Sequence, residues 1–177
     1  MSLHLIALTT LTLALPASNQ AAFVLNGTWR SAPDEMRLTS AFDESVWGKD
    51  AKSIRTVEMT VRQGGEATLT ITRRVVDARG RTVAGSTSIE RADLSIGEVE
   101  STMGVRAEHA VTVKNAERRY PDEPEGTWAI DGLKVSVTTF TDDPGMLEVR
   151  VDFPDGRGSF WEALHRGGAR KPARTSS

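Results

Sequence analysis

Few residues in this chain have the types and spacings that perform chemistry. The three histidines, His4, His109 and His165, form no H-x-x-x-H pair, and no EF-hand run of carboxylates is present. With no cysteine, the chain has no thiolate nucleophile, no thiolate-bound zinc or iron–sulfur centre and no disulfide framework. No G-x-S-x-G elbow, P-loop or G-x-G-x-x-G fingerprint occurs, and Gly85-Ser86-Thr87-Ser88 lies in a strand-like stretch. The paired acids Asp34-Glu35, Asp122-Glu123 and Asp142-Asp143 each adjoin a proline, which reads as solvated turns. The pattern implies no cofactor, no metal and no enzyme. A hydrolase or isomerase organised around His109 is the remaining enzymatic alternative.

Two polar side chains occupy positions that periodicity assigns to an apolar face. Arg73 shares the parity of Leu69, Ile71 and Val75, and His109 sits among Val105, Ala107, Val111 and Val113. A charge on an inward face costs several kcal/mol unless it is partnered or meets water or a ligand. One reading makes Arg73 and His109 the groups that orient a polar or anionic head, with Met59 and Val111 holding an apolar body. The other reading is structural: a bulge turns Arg73 outward, or Arg73 pairs internally with a glutamate such as Glu90. Trp29, Trp47, Trp128 and Trp161 read as core and barrel plugs.

The elements that position these residues are strands. From Arg55 onward the dominant period is two: Val57, Met59 and Val61 alternate with Glu58, Thr60 and Arg62 before a Gly64-Gly65 turn. Leu69, Ile71 and Val75 continue the pattern, Asp77-Ala78-Arg79-Gly80 turns it, and Val83 to Ile89 reads as the next extended piece. Residues 105–115 give the longest alternation, followed by a short segment at Trp128 and an Asp131-Gly132 hairpin turn. Strands then run from Leu133 through Val137, from Leu147 to Phe153, and from Ser159 to Leu164. Eight or nine strands joined mostly by tight turns predict an all-β, antiparallel up-and-down barrel of about eight strands. Linkers at roughly 93–104 and 117–125 leave a β-sandwich as the alternative. Ser40 and Asp43 resemble a capping box ahead of Phe42, Val46 and Trp47, with Gly48 as a stop. This predicts one short helix across a barrel mouth, or an irregular loop anchored by two aromatics.

Leu25-Asn26-Gly27-Thr28-Trp29-Arg30 places a G-x-W at the entry to the first strand, and Thr141-Asp142 sits in a later turn. A G-x-W followed by an antiparallel meander of this length resembles the lipocalin and fatty-acid-binding (calycin) barrels. The resemblance implies that Trp29 closes the barrel base against an arginine from a late strand, Arg150 or Arg157. It also implies a binding protein for a small, largely apolar or amphipathic molecule. Gly126-Thr127-Trp128 repeats the tripeptide where that family has none.

Composition and the chain ends set the frame. The 177 residues are 38% hydrophobic and 26% charged with a net charge of −2, which is too balanced for a nucleic-acid binder. Residues 1–22 carry no Lys, Arg, Asp or Glu, and the apolar run Leu5–Leu15 is too short for a membrane span. Its length suits the core of a signal peptide, the alternative being a buried N-terminal element. Residues 166–177, with four cations and no large apolar side chain, read as a disordered basic tail. The domain between them spans 23–165. Membrane contact is expected only through the signal peptide or the tail. An exported chain without cysteine points to a bacterial periplasm or exterior. The expected function is an exported, non-enzymatic lipocalin-like barrel that binds a small, largely apolar ligand. Its alternative is a cell-envelope interaction or structural module with a filled barrel.

Overall fold

Alternating side chains become a meander in which each strand pairs with the next. The computed structural model describes residues 25–123, 126–154, 156 and 158–168. Residues 1–22, read as a signal peptide, and residues 169–177 of the stretch read as a basic tail lie outside the described residues. The strands are β1 (Gly27–Arg30), β2 (Asp34–Arg37), β3 (Lys52–Val61), β4 (Glu66–Val76) and β5 (Ser88–Met103). They continue as β6 (Arg106–Arg119), β7 (Thr127–Ala129), β8 (Lys134–Phe140), β9 (Met146–Phe153) and β10 (Gly158–Arg166). A short α-helix, α1 (Ala41–Trp47), lies between β2 and β3.

The sheet order β1-β10-β9-β8-β6-β5-β4-β3, with β3 pairing back to β1, closes an all-β antiparallel ring of eight strands. β2 prolongs the β1 position alongside β3, and β7 prolongs the β8 position alongside β6. The sandwich alternative falls because the proposed linker 93–104 is strand. β5 runs through it with register shifts at Asp93/Leu94, Ile96/Val99 and Val99/Ser101, which hid the alternation. The segment from Val83 is not a strand either: beyond an isolated Val76–Thr82 bridge, the chain stays irregular until Ser88.

Inward parity holds as read along β3, β4, β8 and β9, whereas Val105, read as inward ahead of β6, is 43% exposed. Val57, Met59, Val61, Ala67, Leu69, Ile71, Ala92, Leu94, Ile96, Val135, Val137, Leu147, Val149, Val151 and Leu164 form one buried cluster. Outward neighbours such as Glu58, Thr60, Thr68 and Thr70 are polar. That is the inverse of a membrane-spanning barrel, whose lipid-facing band is apolar. Met59, Leu69, Leu94, Val137, Leu147, Val149, Val151 and Leu164 expose none of their surface to a water-sized sphere. No water-sized space therefore touches them, inside the barrel or out. An eight-stranded ring is just wide enough for side chains to fill it.

One end is sealed by Trp29, whose indole N–H donates to the Leu25 carbonyl at 2.8 Å. The arginine against this tryptophan is Arg166, 4.6 Å from the ring and opposite it in the β1–β10 register. Arg150 does not take this place because it sits on the outer face of β9 beside Asp152. Arg157 lies outside the described residues. β10 carries the ordered body through Arg166, the first residue of the stretch read as tail.

The helix forms with the expected cap, the Ser40 hydroxyl accepting from the Asp43 N–H at 3.1 Å. Gly48 ends it in a positive-φ conformation. None of its residues is buried, so its aromatics do not plug a mouth.

Candidate functional site

The end of the barrel opposite Trp29 is built differently. There the inward positions of β3, β4, β5, β6 and β10 carry Arg55, Arg73, Glu90, Arg118 and Glu162. Glu90 is 3% exposed. Its Oε1 accepts from Arg73 Nη1 at 3.2 Å and from Arg118 Nη2 at 2.9 Å and Nε at 3.1 Å. A carboxylate so deeply buried depends on the adjacent guanidinium groups for its hydrogen bonds, and deleting either partner leaves charge stranded in low dielectric. The Arg73 guanidinium also lies 5.2 Å from the Phe153 ring and 5.8 Å from that of Phe160.

Arg55 extends the network across the barrel wall. One Nη2 donates to Asp34 on β2 at 2.7 Å and to Glu162 on β10 at 3.1 Å, while the guanidinium covers Phe160 at 4.0 Å. Burial raises the Glu162 carboxyl above its ordinary range, and the Arg55 charge offsets part of that rise.

Arg55 reaches so far because the ring is imperfectly closed. β1 pairs with β10 through Trp29–Arg166 and Arg30–His165. At Ser31 the chain bonds to Val57 of β3 instead, and past Pro33 it continues as β2 against β3 alone. A seam therefore opens between β2 and β10. It forms a cleft of about 380 Å³ lined by Asp34, Met36, Ser53, Arg55, Arg73, Ser159 and Phe160.

The residues read from sequence as one binding site do not come together. Arg73 faces the seam end, with its side chain inward and paired to Glu90 as one reading expected. His109 is buried toward the Trp29 end, opposite Val99 and Val137. Measured along β5, the Arg73 partner Ser88 and the His109 partner Val99 are about eleven residues apart, roughly 35 Å of strand. The His109 Nε2 lies 2.9 Å from the Thr139 hydroxyl and its Nδ1 3.4 Å from the Gly97 carbonyl. A neutral ring that accepts from Thr139 and donates to Gly97 satisfies both contacts, and burial lowers its pKa below 6.5. Met59 is core between Trp29 and Leu69, and Val111 packs half-buried against the core opposite Ile96. Neither borders the cleft.

The alternation pattern itself could have flagged Arg55, which shares the odd parity of Val57 and Met59. It could likewise have flagged Glu162, which shares the even parity of Phe160 and Leu164. Arg118 was hidden. An irregular pairing between Ala116–Asn115 and Val113 moves the inward set of β6 from odd to even numbers.

Among the described residues no group of three or more His, Asp or Glu is placed to hold a metal ion, and no helix is long and apolar enough to cross a membrane. No protein-family model matches the sequence, and neither a curated protein nor a solved structure matches it.

Proposed function

We propose that this chain is an exported, non-enzymatic, lipocalin-like β-barrel that acts as a protein-interaction module of the cell envelope. The observation that carries this reading is the filled interior. A carrier must enclose its guest, and Met59, Leu69, Leu94, Val137, Leu147, Val149, Val151 and Leu164 fill the interior with no exposed surface where a guest would lie. Support for lipocalin-like kinship comes from the G-x-W entry, the meander and the Trp29–Arg166 contact at the closed end.

The cleft favours a second reading. Its volume falls within the range of small-molecule sites, and Arg55 and Arg73 lie over Phe160 at its floor. A small amphipathic molecule would rest its apolar part on Phe160 and Met36 and present an anionic group to the arginines.

Native mass spectrometry of protein taken from its own compartment separates the two. The module reading expects the bare polypeptide mass and no uptake of added fatty acid. A retained mass that disappears in Arg73→Ala would overturn it in favour of the carrier.

A further inference from the structure

The seam leaves one strand edge without a neighbour. From Ser159 to Leu164, β10 has β9 on one side and, among the described residues, no strand on the other. About six residues of edge give roughly 20 Å of backbone with alternate N–H and C=O groups directed away from β9, and Ser159 and Phe160 at its start border the cleft.

The two lips of the seam differ in protection. The β2 lip has the features that discourage strand addition: Pro33 precedes it, and Asp34, Glu35 and Arg37 lie along it. The β10 lip has only one, the inward-pointing Glu162, and Arg55 pairs it. From Gly158 to His165 it contains no Lys, Arg or Pro, and its one carboxylate, Glu162, points inward to Arg55. Trp161 stands on the outer face of this same edge with 69% of its surface exposed. On the inner face Phe160 borders the cleft, across from Met36, itself 63% exposed. Bare backbone groups, an apolar anchor above and an apolar anchor below are what an added β-strand requires.

We propose that the Ser159–Leu164 edge of β10 is a docking site for an extended peptide segment of a partner protein, which adds as a strand antiparallel to β10 in the seam. This rests on the interaction-module reading and names the face that the module uses. The segment is Pro-free and alternating. Its apolar set of alternate side chains packs on Phe160 and Met36, and its outward set passes beside Trp161. A slender single strand is the occupant because β2 stands opposite, where a second whole barrel would collide with it.

The test uses the full chain and a displayed library of linear nine-residue peptides. Selected peptides are expected to be Pro-free with apolar residues at alternate positions. They should slow amide hydrogen exchange at residues 159–164, and binding should weaken about 30-fold in Trp161→Lys. Because Trp161 is exposed, this variant should melt with the parent. If it does not, the exchange footprint on the parent decides alone. Peptides that bind but protect another surface would overturn the edge assignment and leave the module reading standing. No peptide binding, together with fatty-acid uptake into the cleft, would remove the module reading itself. Concentration-dependent protection of 159–164 without any peptide would make a second copy of this chain the occupant and overturn the proposal.

Discussion

Replacing Leu147 with alanine measures directly how full the barrel is. Leu147 sits on β9 between Thr139 of β8 and Leu164 of β10, with no exposed surface. The substitution removes three carbons, so the lost transfer energy is about 2.4 kcal/mol at about 0.8 per carbon. In a packed interior it also leaves a void of roughly 60 Å³, and at about 24 cal/mol per Å³ this adds about 1.5 kcal/mol. The sum is about 4 kcal/mol, within the range seen for buried leucines. With a urea slope of about 2 kcal/mol per molar, the unfolding midpoint should drop by about 2 M at unchanged slope. If Leu147 instead faced an existing cavity, the second contribution would vanish and the loss would stay at or below about 2.5 kcal/mol. Xenon gives an independent check, since a dry apolar void of roughly 60 Å³ admits a single atom of that size. The variant should be stabilised by xenon under pressure and the parent should not. A small loss, or stabilisation of the parent, would refute the filled barrel and the functional reading built on it.

Two further outcomes follow from the same structure. Burial lowers the pKa of His109, so the folded ring holds a proton less readily than the unfolded one. The stability this confers is complete above about pH 6.5 and is lost as pH falls through the lower folded value. Glu162 is shifted upward and acts in the opposite sense, so the measurement must be a difference. The urea-midpoint advantage of the parent over His109→Gln should shrink between about pH 7.5 and about pH 5, and a constant gap would contradict the neutral buried ring. In the β3–β4 turn, Gly64 and Gly65 both have positive φ, but a Cβ on Gly65 would lie 2.1 Å from the Ile96 carbonyl oxygen whereas one on Gly64 meets nothing within 4 Å. Gly64→Ala should cost about 1 kcal/mol and Gly65→Ala about 3 kcal/mol or more by thermal or urea unfolding, and equal effects would refute the contact.

The period-two pattern made most of the fold legible because inward positions of a meander differ chemically from outward ones. Val57, Met59, Leu69, Ile71, Val135, Val137, Val149 and Val151 all face the core as their parity requires. The pattern failed where pairing was irregular. The register shifts of β5 disguised strand as linker, and the slip near Asn115 concealed that Arg118 points inward. The segment 83–87 failed for another reason: Val83 fits the alternation, but Ala84 and Gly85 turn the chain, and the Ser86 hydroxyl bonds the Val83 and Val75 carbonyls. Alternation likewise put Arg73 and His109 on one face, yet it carries no measure of height along that face. For that reason residues at opposite ends read as one site.

The seam was illegible for a deeper reason. Parity reports which way a side chain points, whereas an unpaired edge concerns backbone groups lying in the plane of the sheet. What sets the edge free is a conflict within the first strand. Trp29 is pinned at the closed end by Leu25 and Arg166, so β1 must begin between β3 and β10. Pro33, four residues on, has no N–H to give to a ladder and restrains Ala32 before it. The chain keeps its bonds to β3, through Ser31 and then β2, and gives up those to β10. Arg55 then crosses the opening to Glu162 and covers Phe160, which protects the core but supplies nothing to the β10 backbone. A barrel whose central side chains are packed offers the proposed partner only the place where its ladder is incomplete, which is the edge of β10.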